Sequence, residues 1–234
     1  MTLEHLTSPE IFFGQRNPFT DHDDTMAASK KIITEYYLKK VSSKRKRNPA
    51  DIQYYHKVRD WAQEDGYTFD EANQIEFSLW MNPDILYEAE PVDGAMEVSH
   101  WMYEHSIGLP ILSSRLDYPE VTPVIFRNMR DATKAWYAKW MPWVPADDIH
   151  LQGTHNLPGD IFKAWMINLY RVGVYFEDFT LHANTILTYT DALVTLLSDK
   201  IVPNHVGNPN LITIHGNNGN LPNLCCVADY LNCR

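Results

Sequence analysis

Between residues 93 and 205, short apolar runs alternate with helical stretches, and few folds accommodate that alternation. Leu109-Pro110-Ile111-Leu112, Ile149-His150-Leu151, Val174-Tyr175-Phe176 and Val194-Thr195-Leu196-Leu197 each read as a strand. Helical spacing covers Ala95 to Met102, Val124 to Trp140, Ile161 to Arg171 and Leu181 to Tyr189. Gly108 and Gly173 are plausible stops, and Asp160 a plausible cap. Strands separated by helices pair in parallel, with the crossover helices packed on both faces. The expected fold class is therefore α/β, a three-layer Rossmann-like parallel sheet core.

The stretch before it has a different texture. Ala27 to Val41, Asp51 to Glu64 and Phe69 to Leu79 look helical and aromatic-rich, without strong strand signals. They read as a helical cap inserted into the core. The expected organisation is a core of residues 1–25 and 90–210, a cap of 26–89, and a loop or tail of 211–234. Within that tail, which is rich in Asn, Gly and Pro, Leu211 to Ile214 has the apolar character of a short strand. The basic run from Lys39 to Arg47 reads as a solvated helix end or as a lid surface that attracts phosphate.

A formal charge of −10 argues against a general nucleic-acid binder, which needs a basic face. No apolar run approaches the roughly 20 residues of a membrane span, and Met1 to Glu10 is too polar for a signal peptide. Cys225, Cys226 and Cys233 are an odd set without framework spacing, which fits a reducing compartment. A cytoplasmic protein is expected.

The chemistry begins at Asp21-His22-Asp23-Asp24-Thr25. Two carboxylates at i and i+2 on an extended segment point the same way, unless the following turn re-aims the second. They could converge on a cation that keeps both ionised, one then acting as nucleophile and the other as proton shuttle. Three more predicted strands end in polar residues: Ser113-Ser114-Arg115, Gln152-Gly153 and Glu177-Asp178. In open parallel sheets ligands bind beyond the carboxyl ends of the strands. Lys163, early in the next helix, opposes the helix dipole and so needs another reason to be there.

This order resembles the haloacid dehalogenase-like superfamily of phosphohydrolases, over residues 19–25 and 93–205. Asp21 to Thr25 is similar to its first motif and Ser113-Ser114-Arg115 to its second. Lys163 would be the third and Tyr175-Phe176-Glu177-Asp178 the fourth, with Glu177 where many members carry Asp. The finer pattern, including His182-Ala183-Asn184, is similar to 5'(3')-deoxyribonucleotidase-like members. The resemblance implies a phosphomonoester hydrolase in which Asp21 attacks phosphorus and Asp23 protonates the leaving alcohol. Ser113 and Lys163 would hold the phosphoryl group, and Thr25, Ser114 and Arg115 would contact substrate. Asp21, Asp23 (through its carbonyl), Asp178 and Glu177 would hold Mg²⁺, which suits an all-oxygen donor set. The expected partner is a small phosphorylated molecule, a nucleotide by the finer pattern, and aromatic-rich caps can pair as homodimers.

Three other readings stand beside it. Sugar phosphates or nucleic-acid ends could be the substrate. His22-Asp23 also spells the dyad of helical HD-type metal phosphohydrolases, with His5 as a further ligand, but that dyad should lie inside a helix. The chain could also be a non-catalytic interaction protein on a degenerate phosphatase fold.

Overall fold

The computed structural model describes residues 17–215, except 55, 118–120, 122–123, 154–156 and 199–201. Six strands form one sheet: β1 Pro18–Thr20, β2 Ile111–Leu116, β3 Ile149–Gly153, β4 Val174–Glu177, β5 Leu193–Leu197 and β6 Leu211–Ile214. Their order is β3-β2-β1-β4-β5-β6, and every pairing is parallel. The chain builds one side of the sheet outward from β1, then crosses to build the other from β4. The crevice between β1 and β4 is the topological switch point, where such sheets bind ligands.

β1 is short for a central strand. It begins at Pro18, whose missing N–H is tolerated at a first strand position. Its place is fixed by Thr20 N–H donating to Pro110 O (3.0 Å) and Asp21 N–H donating to Phe176 O (2.9 Å). The strands β1, β4 and β5 are buried on both faces. Ile111, Val174 and Phe176 pack with Trp136 and Tyr137 of α6 (Met129–Trp140) and with α5 (Ala95–Glu104). Leu112, Tyr175 and Val194 pack with Phe162 and Ile167 of α7 (Gly159–Tyr170) and Ile186 of α8 (Thr180–Tyr189). These are the three layers expected of the alternation.

The stretch expected to form the cap holds α1 (Ser29–Val41), α2 (Lys57–Glu64), α3 (Phe69–Trp80) and α4 (Pro83–Tyr87). They enclose their own apolar cluster, including Ile33, Tyr37, Trp61 and Leu79, to which Met129 alone of the buried members comes from the core. Thr68 and Glu71 start α3 with a capping box. Arg47 fastens these helices: its side chain, 6% exposed, donates to Glu64 (2.5 Å) and Asp65 (3.1 Å) and stacks on Trp61. That end of the basic run therefore offers no lid surface.

Three expectations need correction. The core does not stop at residue 210, because Leu211–Ile214 extends the sheet beside β5. No helix begins at Asp51: Asn48 and Pro49 make a single 3₁₀ turn, and the helix waits until Lys57. The helix expected from Val124 starts at Met129, because Asp84 takes the N–H groups of Val124, Ile125 and Phe126. Among the described residues no helix is long and apolar enough to cross a membrane. Cys225, Cys226, Cys233 and His5 lie outside the described residues.

Candidate active site

Asp21 leaves β1 at the switch point, almost wholly buried. Lys163, 0% exposed, reaches it from α7: its Nζ lies 2.8 Å from Asp21 Oδ2 and 2.8 Å from Glu177 Oε2. The ammonium makes a third bond, to His182 Nδ1 on α8, at 2.9 Å. Glu177 ends β4, and its other oxygen accepts the N–H groups of Asp178 (3.2 Å) and Phe179 (3.1 Å). A lysine so early in a helix thus has its reason: two buried carboxylates outweigh the dipole. Ligand atoms of Asp21, Glu177 and His182 lie within 4.8 Å of one another, but the Lys163 ammonium occupies the space among them.

Burial works against the charge on Lys163, yet Asp21 and Glu177 hold its pKa well above the ordinary value. Burial pushes Asp21 up to about 8, with Lys163 pulling down and Glu177, Asp23 and Asp178 pushing further up. Burial likewise takes Asp24 to about 7 against the pull of Lys30. His182 is lowered to about 3, by burial and by Lys163, so it is the neutral acceptor its bond requires. Asp21 Oδ1 is buried with no hydrogen-bond partner. An excess of buried negative charge and an orphaned carboxylate oxygen are what a hard divalent cation would relieve, so these residues fit Mg²⁺.

The turn after β1 carries Asp24 at a positive φ of 56° and re-aims Asp23. Its carboxylate is gripped by Arg115, Nε to Oδ2 at 3.0 Å and Nη2 to Oδ1 at 2.7 Å, and by the Ser29 hydroxyl. Burial opposes ionisation there, but Arg115 wins and holds Asp23 well below the usual carboxylate range. The expected convergence of the Asp21 and Asp23 side chains on one cation is corrected accordingly: both Asp23 oxygens are taken. Arg115, expected on substrate, spends its guanidinium on Asp23 and on Thr133 (3.0 Å).

A cavity of about 450 Å³ opens above these residues, lined by Asp21, Asp23, Ser114, Arg115, Asp178 and His182 among others. Ser113 does not line it. A register shift between Ser113 and Leu116 turns Ser114 to the cavity, while Ser113 is buried with its Oγ 3.4 Å from Arg115 N. Thr25 is also buried, off the cavity, with its hydroxyl unpartnered. Those two expectations are corrected: Ser114, half-buried, is the hydroxyl on the cavity wall. Asp178 lines the cavity and accepts from Lys30 Nζ at 2.5 Å; the same ammonium lies 3.5 Å from Asp24.

Lys30 and His182 are the residues that motif reading passed over. Lys30 carried a signal, as a cation one turn after an acidic cluster. His182 was visible only as part of a pattern, since nothing in sequence spacing reports a contact between two helices. His22 is no metal ligand in this arrangement: it is buried, 2.9 Å from the Tyr137 hydroxyl and edge-on to Trp136. With the parallel sheet, that sets aside the helical HD-type reading.

Comparison with known proteins gives the fold a context. No protein-family model matches the sequence, and no curated protein matches it. Solved structures do. A protein from Lactobacillus delbrueckii subsp. bulgaricus, provisionally named a phosphoglycolate phosphatase, aligns with TM-score 0.55 and 13% identity, over 93% of this chain and 96% of its own. A HAD hydrolase of family IA, variant 3, from Entamoeba histolytica aligns with TM-score 0.52 and 10% identity, over 86% and 92%. A protein from Bacteroides fragilis, provisionally named a haloacid dehalogenase-like hydrolase, aligns with TM-score 0.52 and 15% identity, over 85% and 96%. The chain has the fold of these hydrolases.

Proposed function

We propose that this chain is a phosphomonoester hydrolase that works through an aspartyl-phosphate on Asp21. The observation that carries the reading is the buried Lys163 ammonium, 2.8 Å from Asp21 and 2.8 Å from Glu177 at the switch point of the sheet. Lys163 holds Oδ2 of Asp21, and Oδ1, which has no partner, is the oxygen left to attack once Asp21 is ionised. Attack forms the Asp21 oxygen–phosphorus bond as the ester oxygen–phosphorus bond breaks in line, and the alcohol departs with a proton. Water then attacks the phosphorus of the acyl phosphate and loses a proton to Asp23 as the Asp21 oxygen–phosphorus bond breaks, so inorganic phosphate leaves and Asp21 is regenerated. Lys163 and the Ser114 hydroxyl balance charge on the phosphoryl oxygens. Asp23, held ionised by Arg115, is in the form that accepts the water's proton. To protonate the leaving alcohol it must first loosen from Arg115 and take up a proton, which the hydrolytic water gives back to it in the second step. Asp21, Asp178 and the Asp23 carbonyl are the groups that would hold Mg²⁺, with Glu177 supporting Asp21 through Lys163; the ion would supply charge neutralisation for the phosphoryl group.

The cavity wall supports a (deoxy)nucleoside monophosphate as substrate. Its cap side is Ile52, Tyr54, Trp80, Met81 and Leu86, with Lys30 the one charged side chain there, ion-paired to Asp178. Its two cations, Lys30 and Arg115, are already committed to carboxylates, and Asp24 and Asp160 add negative charge. A flat, uncharged group such as a nucleobase suits that wall. A second anion suits it less, because the carboxylate of phosphoglycolate, the substrate in the name of one structural neighbour, would find Lys30 and Arg115 already paired to acids. The cap closes over this space and restricts it to small substrates.

The test is hydrolysis of p-nitrophenyl phosphate with and without Mg²⁺, followed by deoxynucleoside 5'-monophosphates and phosphoglycolate. Mg²⁺-dependent turnover lost in Asp21→Asn supports the reading. A wild-type protein inert toward all of them would leave the interaction-protein reading in its place.

A further inference from the structure

We propose that His182 is a positioning residue for Lys163: its Nδ1 accepts the third ammonium proton and fixes the cation between the nucleophile and Glu177. The inference rests on the phosphatase reading of the same site but is carried by separate geometry. An ammonium has three protons in a tetrahedral spread. Here each has an acceptor: Asp21 Oδ2 at 2.8 Å, Glu177 Oε2 at 2.8 Å and His182 Nδ1 at 2.9 Å. With only the two carboxylates, rotation about the last bonds of a four-carbon side chain would let the cation slide toward Glu177 and away from the nucleophile. The third acceptor, approaching from another helix, removes that freedom.

His182 is suited to the task. It stands in the first turn of α8, buried, with Phe179 edge-on to its ring at a centroid distance of 5.1 Å. The ring cannot swing freely. Accepting at Nδ1 places its one proton on Nε2, and His182 also lines the substrate cavity. No acid at this place could do the same, since a third buried carboxylate would compete for Lys163 and add charge.

The test replaces His182 in the full chain and reads kcat and KM separately with p-nitrophenyl phosphate. His182→Leu keeps the volume and removes the acceptor. It should lower kcat by about 10- to 100-fold, the range for losing one charge-assisted hydrogen bond, with KM little changed. His182→Asn offers an amide oxygen near the Nδ1 position and should recover most of the loss. Wild-type kcat in His182→Leu, or equal loss in His182→Asn, overturns the proposal. A second measurement needs no activity and no variant: nitrogen-15 NMR of the wild-type imidazole should show an unprotonated Nδ1 and a protonated Nε2 for His182. A proton on Nδ1 overturns the proposal even if His182→Leu fails to fold. If the wild type hydrolyses nothing, the phosphatase reading falls while the tautomer still decides the role of His182.

Discussion

Lys163→Met tests the energetic centre of the site. Methionine nearly matches the stem of lysine, so the packing of that stem from α7 into the buried site survives and the charge is what is lost. The wild-type ammonium is 0% exposed and bonds Asp21, Glu177 and His182 at 2.8, 2.8 and 2.9 Å. Removing it leaves two carboxylates buried with no cation between them. Breaking a buried pair by deleting one partner costs about 3–5 kcal/mol. Against a total stability of about 5–15 kcal/mol, that is a large fraction. The penalty must depend on pH. In the variant both acids have folded pKa values above those of the unfolded chain, which are near 4. The folded state then holds protons that the unfolded state releases, so stability falls as pH rises above about 4. Wild-type Asp21 is itself raised to about 8, so urea unfolding should show a small difference from wild type near pH 5 and a difference that opens above about pH 8, clear at pH 9. Lys163→Met with Glu177→Gln should recover part of it, because one of the stranded charges is gone. A penalty below about 1 kcal/mol at pH 9, or one that is flat between pH 5 and 9, would refute the reasoning.

Three further outcomes follow from the same geometry. Arg115→Gln frees Asp23 from the grip that keeps it ionised, so hydrolysis of alkyl phosphates should rise relative to p-nitrophenyl phosphate, whose leaving group needs no proton; an unchanged ratio across a leaving-group series contradicts this. Binding of Mg²⁺ at pH 7 should release protons, because Asp21 and Asp24 sit near 8 and 7 without it, and the release should shrink at pH 9; calorimetry in buffers of different ionisation enthalpy reads this directly, and zero release at pH 7 speaks against it. Ser114→Ala should lower kcat about 10²-fold while Ser113→Ala leaves it within a few-fold, and the reverse order in steady-state assays would restore Ser113 to the site.

Much of this architecture is legible in the amino-acid sequence, because period and order are properties of the chain. The alternation from Ala95 to Leu197 dictates a parallel sheet, and polar residues at strand ends dictate where its site lies. Lys163 is legible by conflict, as a charge in the wrong half of a helix. What stays hidden depends on one-residue geometry. Asp23 swings to Arg115 because Asp24 adopts a left-handed turn, and Ser114 replaces Ser113 because β2 slips against β3. Neither is written in hydrophobic periodicity. The three residues of β1 give too little apolar signal to read as a central strand, yet β2 and β4 hold them from both sides. Val124 to Phe126 look helical until Asp84, forty residues earlier, claims their N–H groups. Long-range contacts of that kind override local propensity.

The central claim is a covalent one, that Asp21 carries the phosphoryl group during turnover. Acid-quenching the protein during hydrolysis of p-nitrophenyl phosphate, reducing the trapped acyl phosphate with borohydride and sequencing the product by mass spectrometry tests it most directly. The account predicts homoserine at position 21 in the quenched sample and aspartate there in a sample without substrate. Unmodified Asp21 during sustained turnover, or reduction at another carboxylate, would contradict it.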